Sequence, residues 1–158
     1  GKHTNLITRD YGSWLFLGEI ILNIPLEYDK PFMDDLCGTC TACIDDCPPG
    51  ALAEYEIDSK KCLSYQTIEH RGDFDENSID LDNWIYGCDI CQEVCPWNKK
   101  FAKKTKEKSF FPREVIIKYS DNDWDQLNEE KFRKIFKDSP VKRTKHFGLK
   151  RNIKKNSI

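Results

Sequence analysis

CGTCTACIDDCPP (Cys37–Pro49) and WIYGCDICQEVCPWN (Trp84–Asn98) decide the fold, because all eight cysteines of the 158-residue chain fall in or between them. The first stretch spaces Cys37, Cys40, Cys43, Cys47 and Pro48 as C-x2-C-x2-C-x3-C-P. The second repeats that spacing with Cys88, Cys91, Cys95 and Pro96, except that Ile85 stands where the first cysteine belongs. A lone Cys62 lies between the copies and is the natural replacement. Three thiolates two residues apart can wrap one four-iron cluster. The fourth, just before proline, sits a turn later, faces away and ligates the other cluster in two-cluster ferredoxins. The spacing therefore predicts one 4Fe–4S cluster on Cys37, Cys40, Cys43 and Cys95, and a second on Cys47, Cys62, Cys88 and Cys91.

Other uses of eight cysteines fit less well. Structural zinc favours two separated C-x2-C knuckles rather than a triple run ending in C-P. A disulfide framework is disfavoured by such close spacing and by the lack of a visible export signal. Both features point to a reducing, cytoplasmic setting. The longest apolar run, Trp14–Ile24, is interrupted by Gly18, Glu19 and Asn23. It is too short and too polar for a membrane span.

Charge divides the chain. Residues 1–98 carry 6 Lys+Arg against 19 Asp+Glu, whereas residues 99–158 carry 19 against 8. Seven basic residues and no acidic one follow Asp138. A basic end beside an acidic redox core is the footprint of a polyanion partner, set against the plainer reading of a solvated face.

The coarse reading is α+β in three parts: residues 1–30, a ferredoxin-like two-cluster domain over 31–105, and a helical basic region over 106–158. Gly12 and Pro25 bound a segment whose aromatic and β-branched content predicts a buried strand. That strand has no obvious neighbour in the chain, so its sheet is expected from elsewhere. This expectation, together with Met33 being the only methionine, reads as a fragment of a longer protein. Short helical turns are predicted near 41–47 and 92–96, with Pro48-Pro49-Gly50 breaking the first. Asp58 is predicted to cap a helix from Ser59 to about Glu69, with Cys62 in its first turn. Residues 72–83 read as a loop, after which Trp84-Ile85-Tyr86 returns the chain to the clusters. Asn128 is predicted to cap a helix to about Lys137 with an apolar stripe of Phe132, Ile135 and Phe136. Ser139-Pro140 is a cap pair that starts another helix, with a break near Gly148. His3, His70 and His146 read as satisfied or exposed histidines.

Taken together, GKHTNLI, GSWLFLGEI, CGTCTACIDDCPPGAL, KCLSYQTIEHRG, WIYGCDICQEVCPWN and SPVKRTKHFGLKRN resemble epoxyqueuosine reductase, from Gly1 to about Ile153. The resemblance implies a cobalamin-dependent enzyme that reduces epoxyqueuosine to queuosine at the wobble position of tRNAs with GUN anticodons. It implies electrons passing from the two clusters to the corrin cobalt, an aspartate that donates a proton, and an electron donor not identified by sequence. The residues before 31 then correspond to the end of a corrin-binding domain, with that aspartate upstream of Gly1. The amides fringing a corrin want carbonyl, carboxylate and hydroxyl partners, for which Asn5, Glu19 and Ser64 lie in the matching segments. Lys142, Arg143, Lys145, Lys150 and Arg151 are the candidates for tRNA phosphates. The expected assembly is a monomer. A ferredoxin-like relay for an unrelated oxidoreductase would use the same cysteines. It would leave the 12–24 segment, the 63–87 excursion and the basic end without a purpose. A relative of the reductive dehalogenases would share the cofactors, but the basic end and the lack of an export signal count against it.

Overall fold

The computed structural model describes residues 1–32, 34–75 and 78–156. Positions 76 and 77 of the expected 72–83 loop lie outside these. The elements are short. Helix α1 spans Ala42–Asp45, strands β1 (Leu52–Ala53) and β2 (Glu56–Ile57) form an antiparallel hairpin, and helix α2 spans Leu63–Ile68. Helices α3 (Ile90–Glu93) and α4 (Pro96–Phe101) follow the second cysteine run. Helices α5 (Glu114–Ile117), α6 (Asp121–Asp125), α7 (Glu129–Ile135) and α8 (Lys145–Asn156) make the C-terminal part. The architecture is a small α+β arrangement.

Side-chain capping sets the C-terminal helices. Ser120 and Asp123 form a reciprocal capping box at α6, and the Asn128 carbonyl oxygen accepts from Lys131 N at 2.9 Å at α7. Phe132 and Phe136 then meet Leu127, Leu149 and Ile153 in the main apolar core, with Ile135 packed at its margin. Burying such side chains contributes about 1.5–3 kcal/mol each.

Four details differ from the sequence expectations. Residues 14–32 form no strand among the described residues. Phe16, Leu17, Ile20, Ile21 and Tyr28 are all exposed there, and neither β1 nor β2 pairs with them. Asp58 caps a turn rather than a helix: its side chain accepts from Lys60 N and its carbonyl from the amides of Lys61 and Cys62. Helix α2 therefore begins at Leu63, with Cys62 as its extended N-cap residue. The break expected at Gly148 falls earlier. A 3-10 turn over Pro140–Thr144 ends at Lys145, whose φ is 62°, and α8 then runs through Gly148 unbroken. Gly148 is needed for closeness, because a Cβ there would lie 2.6 Å from Thr144 Oγ1. Finally, Trp84-Ile85-Tyr86 packs on the C-terminal core: Ile85 and Tyr86 lie against it, and the Tyr86 hydroxyl donates to Pro140 O at 2.8 Å.

A buried polar junction ties α8 to α2. Asn152 is fully buried, and its Nδ2 donates to Thr67 O at 2.8 Å and to Ile85 O at 2.9 Å. Thr67, also fully buried, accepts from Gly87 N at 2.9 Å through Oγ1. Arg151 Nη1 donates to the carbonyls of His70 and Gly72, while its Nη2 donates to that of Gln66. Replacing Asn152 by Ala leaves Ile85 O without its donor and takes one of two donors from Thr67 O, which keeps Thr144 Oγ1, a loss worth about 1–3 kcal/mol. In anaerobic urea unfolding of the iron-loaded chain, Asn152→Ala is expected to lower the midpoint clearly. Asn156→Ala, which removes one partly buried bond to Trp84 O, should move it much less.

Candidate metal centres

The tight loop from Cys37 and the turn of α1 carry the first run. Asp35 organises its start: its carboxylate accepts from Cys37 N at 2.9 Å, Gly38 N at 3.2 Å and the Tyr55 hydroxyl at 2.9 Å. These bonds, led by the Cys37 amide, hold the Asp35 carboxyl below its ordinary range. Cys37, Cys40, Cys43 and Cys95 together line a cavity of about 180 Å³, closed by His3, Leu36, Pro96 and Trp97. Burial first, then the proximity of Cys37, Cys95 and Cys40, raises the Cys43 thiol. The last thiol of the second run thus stands with the first three of the first run.

The remaining four mirror this arrangement. Burial raises Cys88, with Cys62 and Cys47 among the neighbouring thiols. Cys91 is pushed up to about 12 by burial, then by Cys88, Cys62, Cys43 and Cys47. Cys62 is held at the N-cap of α2, and Gly87, just before Cys88, is fastened to Thr67 of that helix. No disulfide joins any of the eight cysteines. Among the described residues no three His, Cys, Asp or Glu side chains converge as the ligands of a single ion would.

This donor set fits four-iron clusters. Buried thiols that raise one another's pKa disfavour the thiolate form, and iron charge is what reverses that balance. Backbone amides already approach the sulfurs, Lys2 N to Cys37 Sγ at 3.3 Å and Ala51 N to Cys47 Sγ at 3.4 Å.

The N-terminal segment closes over the first group. Lys2 is buried, and its Nζ meets Glu54 at 2.7 Å. Ser13 N donates to Asn98 Oδ1 at 2.6 Å, and Asn98 Nδ2 donates to Ser13 Oγ and Gln92 O, each at 2.8 Å. Gly12 makes this approach possible, with φ 71° and no room for a Cβ, which would run into Asn98 Oδ1. Sequence reasoning gave Lys2, Ser13 and Asn98 no role and took Gly12 only as a strand boundary; GKHTNLI, GSWLFLGEI and CPWN are the segments that could have signalled them.

The other candidates are scattered. Asn5 is half-buried beside His3, Glu19 is exposed in the irregular segment, and Ser64 is half-buried in the first turn of α2. No hydrogen bond or ion pair joins these three among the described residues. Lys142, Arg143 and Lys145 are exposed, with Arg143 paired to Glu69. Lys150 is directed to the carbonyls of Trp124 and Asp125. Arg151 is buried in the junction described above and stacks over Phe74, 4.1 Å from its ring centroid, so its role here is structural. His70 and His146 meet the carbonyls of Asp73 and Leu127. His3, by contrast, keeps a buried Nε2 with no partner. Burial, then the Gly1 amino group, lowers its pKa.

Residues 36–98 match the family described as the 4Fe-4S double cluster binding domain. That stretch, which holds all eight cysteines, is thus similar to domains that bind two 4Fe–4S clusters. More particularly, nearly the whole chain is similar to epoxyqueuosine reductases. It is 50% identical to that of Leadbetterella byssophila over 97% of this chain and 50% of the relative. It is 46% identical to that of Cellulophaga algicola, again over 97% of this chain and 50% of the relative. Among solved structures, the Bacillus subtilis epoxyqueuosine reductase superposes with TM-score 0.87 at 30% identity, covering 98% of this chain and 41% of that one. An epoxyqueuosine reductase with an epoxyqueuosine-modified tRNA-Tyr stem loop superposes with TM-score 0.85 at 31% identity, with the same coverage. The chain spans about half the length of the curated relatives it matches. No helix among the described residues is long and apolar enough to cross a membrane.

Iron removal tests the electrostatic reading. Stripping iron from the reduced, loaded chain would remove the bonds that hold each group of four cysteines together. The expected loss is several kcal/mol, since metal binding is folding energy in such small sites. At about 2–4 °C per kcal/mol this lowers the Tm by roughly 10 °C or more, as read by anaerobic calorimetry.

Proposed function

We propose that this chain is the electron-delivering, tRNA-facing half of an epoxyqueuosine reductase, which reduces epoxyqueuosine to queuosine at the tRNA wobble position. The observation that carries the reading is the crossed gathering of eight thiols inside a chain similar to such enzymes over 97% of its length. A bare electron-relay subunit would share the cysteines, but the similarity also runs through both flanks.

In this reading Cys37, Cys40, Cys43 and Cys95 hold one cluster and Cys47, Cys62, Cys88 and Cys91 the other. The clusters supply single electrons when bound, and cobalamin in the whole enzyme is their acceptor. The chain divides at residues 30 and 105, with residues 1–30 continuing a corrin-binding domain. The exposed apolar side chains of Phe16, Leu17, Ile20 and Ile21 would then be covered by that domain, since so large an apolar patch marks an interaction surface. Asn5, Glu19 and Ser64 are offered as partners for corrin amides. The Asn5 amide nitrogen is turned to His3, and its Oδ1 has no partner of its own among the described residues. Lys142, Arg143 and Lys145 present positive charge for tRNA phosphates. Lys150 and Arg151 are spent on backbone carbonyls and leave the proposed phosphate-binding set.

Three measurements bear on this. The activity test is a chimera in which this chain replaces the matching half of the Leadbetterella byssophila relative. Given reductant, cobalamin and epoxyqueuosine-bearing tRNA without oxygen, it should yield queuosine by nucleoside analysis. A folded, iron-loaded chimera that yields none overturns the proposal. Wild-type chain should carry about eight irons. Cys62→Ala should lose iron from its own cluster while the spectrum of the other persists, and a wild-type count would reject Cys62 as a ligand. Neutralising Lys142, Arg143 and Lys145 should flatten the salt dependence of stem-loop binding by about 0.7–0.9 log unit for each phosphate no longer neutralised. It should do so similarly for any stem-loop sequence, because phosphate contacts position and do not specify.

A further inference from the structure

We infer that His3 donates a hydrogen bond from its Nε2–H to a sulfur of the cluster held by Cys37, Cys40, Cys43 and Cys95, and thereby raises that cluster's reduction potential. The inference rests on the two-cluster reading above and assigns a tuning role to a residue outside the ligand set.

The tautomer follows from the backbone. Asn5 N donates to His3 Nδ1 at 3.2 Å, and an amide N–H can only donate. Nδ1 is therefore the acceptor, and the proton of a neutral ring sits on Nε2. The turn that fixes this orientation is closed twice, by Thr4 N to Gly1 O at 2.9 Å and by the Gly1 amino group to Asn5 O at 2.8 Å.

The donor is buried, with His3 2% exposed, and among the described residues Nε2 has no hydrogen-bond partner. A buried donor left unmet costs about 1–3 kcal/mol, so a partner is to be expected. His3 lines the same cavity of about 180 Å³ as the four cysteines. Of the other lining side chains, Leu36 and Pro96 offer no acceptor, and the Trp97 indole is a donor already committed to Leu36 O at 2.6 Å. Sulfur is the acceptor chemistry left in that opening. The adjoining Lys2 amide, 3.3 Å from Cys37 Sγ, shows that this segment already lies against a ligand sulfur.

Hydrogen bonds to the sulfurs are among the factors that set the potential of such clusters. The reduced cluster carries more negative charge, so the donor stabilises it more than the oxidised form. The effect is asymmetric between the two centres, because His70 and His146 are engaged with backbone carbonyls elsewhere.

The test is anaerobic redox titration of the iron-loaded chain, followed by electron paramagnetic resonance, for wild type, His3→Phe and His3→Gln. His3→Phe keeps the volume and removes the donor, whereas His3→Gln keeps an N–H. The expected result is that His3→Phe lowers the reduced-to-oxidised ratio of one cluster about tenfold at fixed potential, equivalent to ~59 mV for one electron. The other cluster should be unmoved, and His3→Gln should recover part of the shift. An iron-replete His3→Phe with both potentials unchanged overturns the inference. A second measurement needs no variant: wild type enriched in 15N-histidine should show a nitrogen coupling to one reduced cluster. Its absence overturns the inference even where His3→Phe fails to hold iron. Failure of the underlying two-cluster reading would instead appear as a wild-type iron content well below eight.

Discussion

Bringing four thiolates to one point is the constraint on which the rest of this structure depends. The first run supplies three inward thiols and the second only two, since the cysteine before proline has turned away by the time the helix resumes. The structure meets the constraint by crossing: Cys95 stands with Cys37, Cys40 and Cys43, while Cys47 stands with Cys62, Cys88 and Cys91. The two runs must then pack face to face, and α1 indeed lies against α3. Thiols so gathered repel as thiolates, so the site favours iron and is costly without it.

Cys62 has no run of its own to hold it, and the C-terminal part does that work. Its position at the N-cap of α2 is maintained from the far side of the helix. There Thr67 binds Gly87, and Asn152 binds both Thr67 O and Ile85 O. Arg151 adds its guanidinium to the loop after α2. The residue that replaces a cysteine in the second run, Ile85, packs against the C-terminal core and lends it a carbonyl. The basic region is thus partly a brace for the second cluster rather than a separate tail. A positively charged residue at its centre serves carbonyls rather than phosphates.

The described surface is uneven in what it asks of a partner. Residues 14–32 expose apolar side chains that this chain leaves uncovered, while Lys142, Arg143 and Lys145 expose charge. The cluster groups lie between these two faces in the sequence.

Spacing alone was enough to propose both cysteine groups, because C-x2-C-x2-C-x3-C-P is a local rule whose geometry is set within one or two turns. Caps were legible for the same reason at Asn128 and Ser139, where side chain and amide are three residues apart or fewer. Asp58 misled because a local turn satisfied the amides that the helix was expected to use. The 12–24 segment misled because strand character needs a partner edge that composition cannot supply. The carbonyl bonds of Arg151 and the fastening of Ser13 to Asn98 join residues 79 or more positions apart, and the isolation of His3 Nε2 depends on cavity walls. Which amide or carbonyl meets a polar side chain at such range is decided by packing. The sequence by itself determined the metal chemistry and its ligands' spacing, and only the tertiary structure decided which charges and donors remain free to act on it.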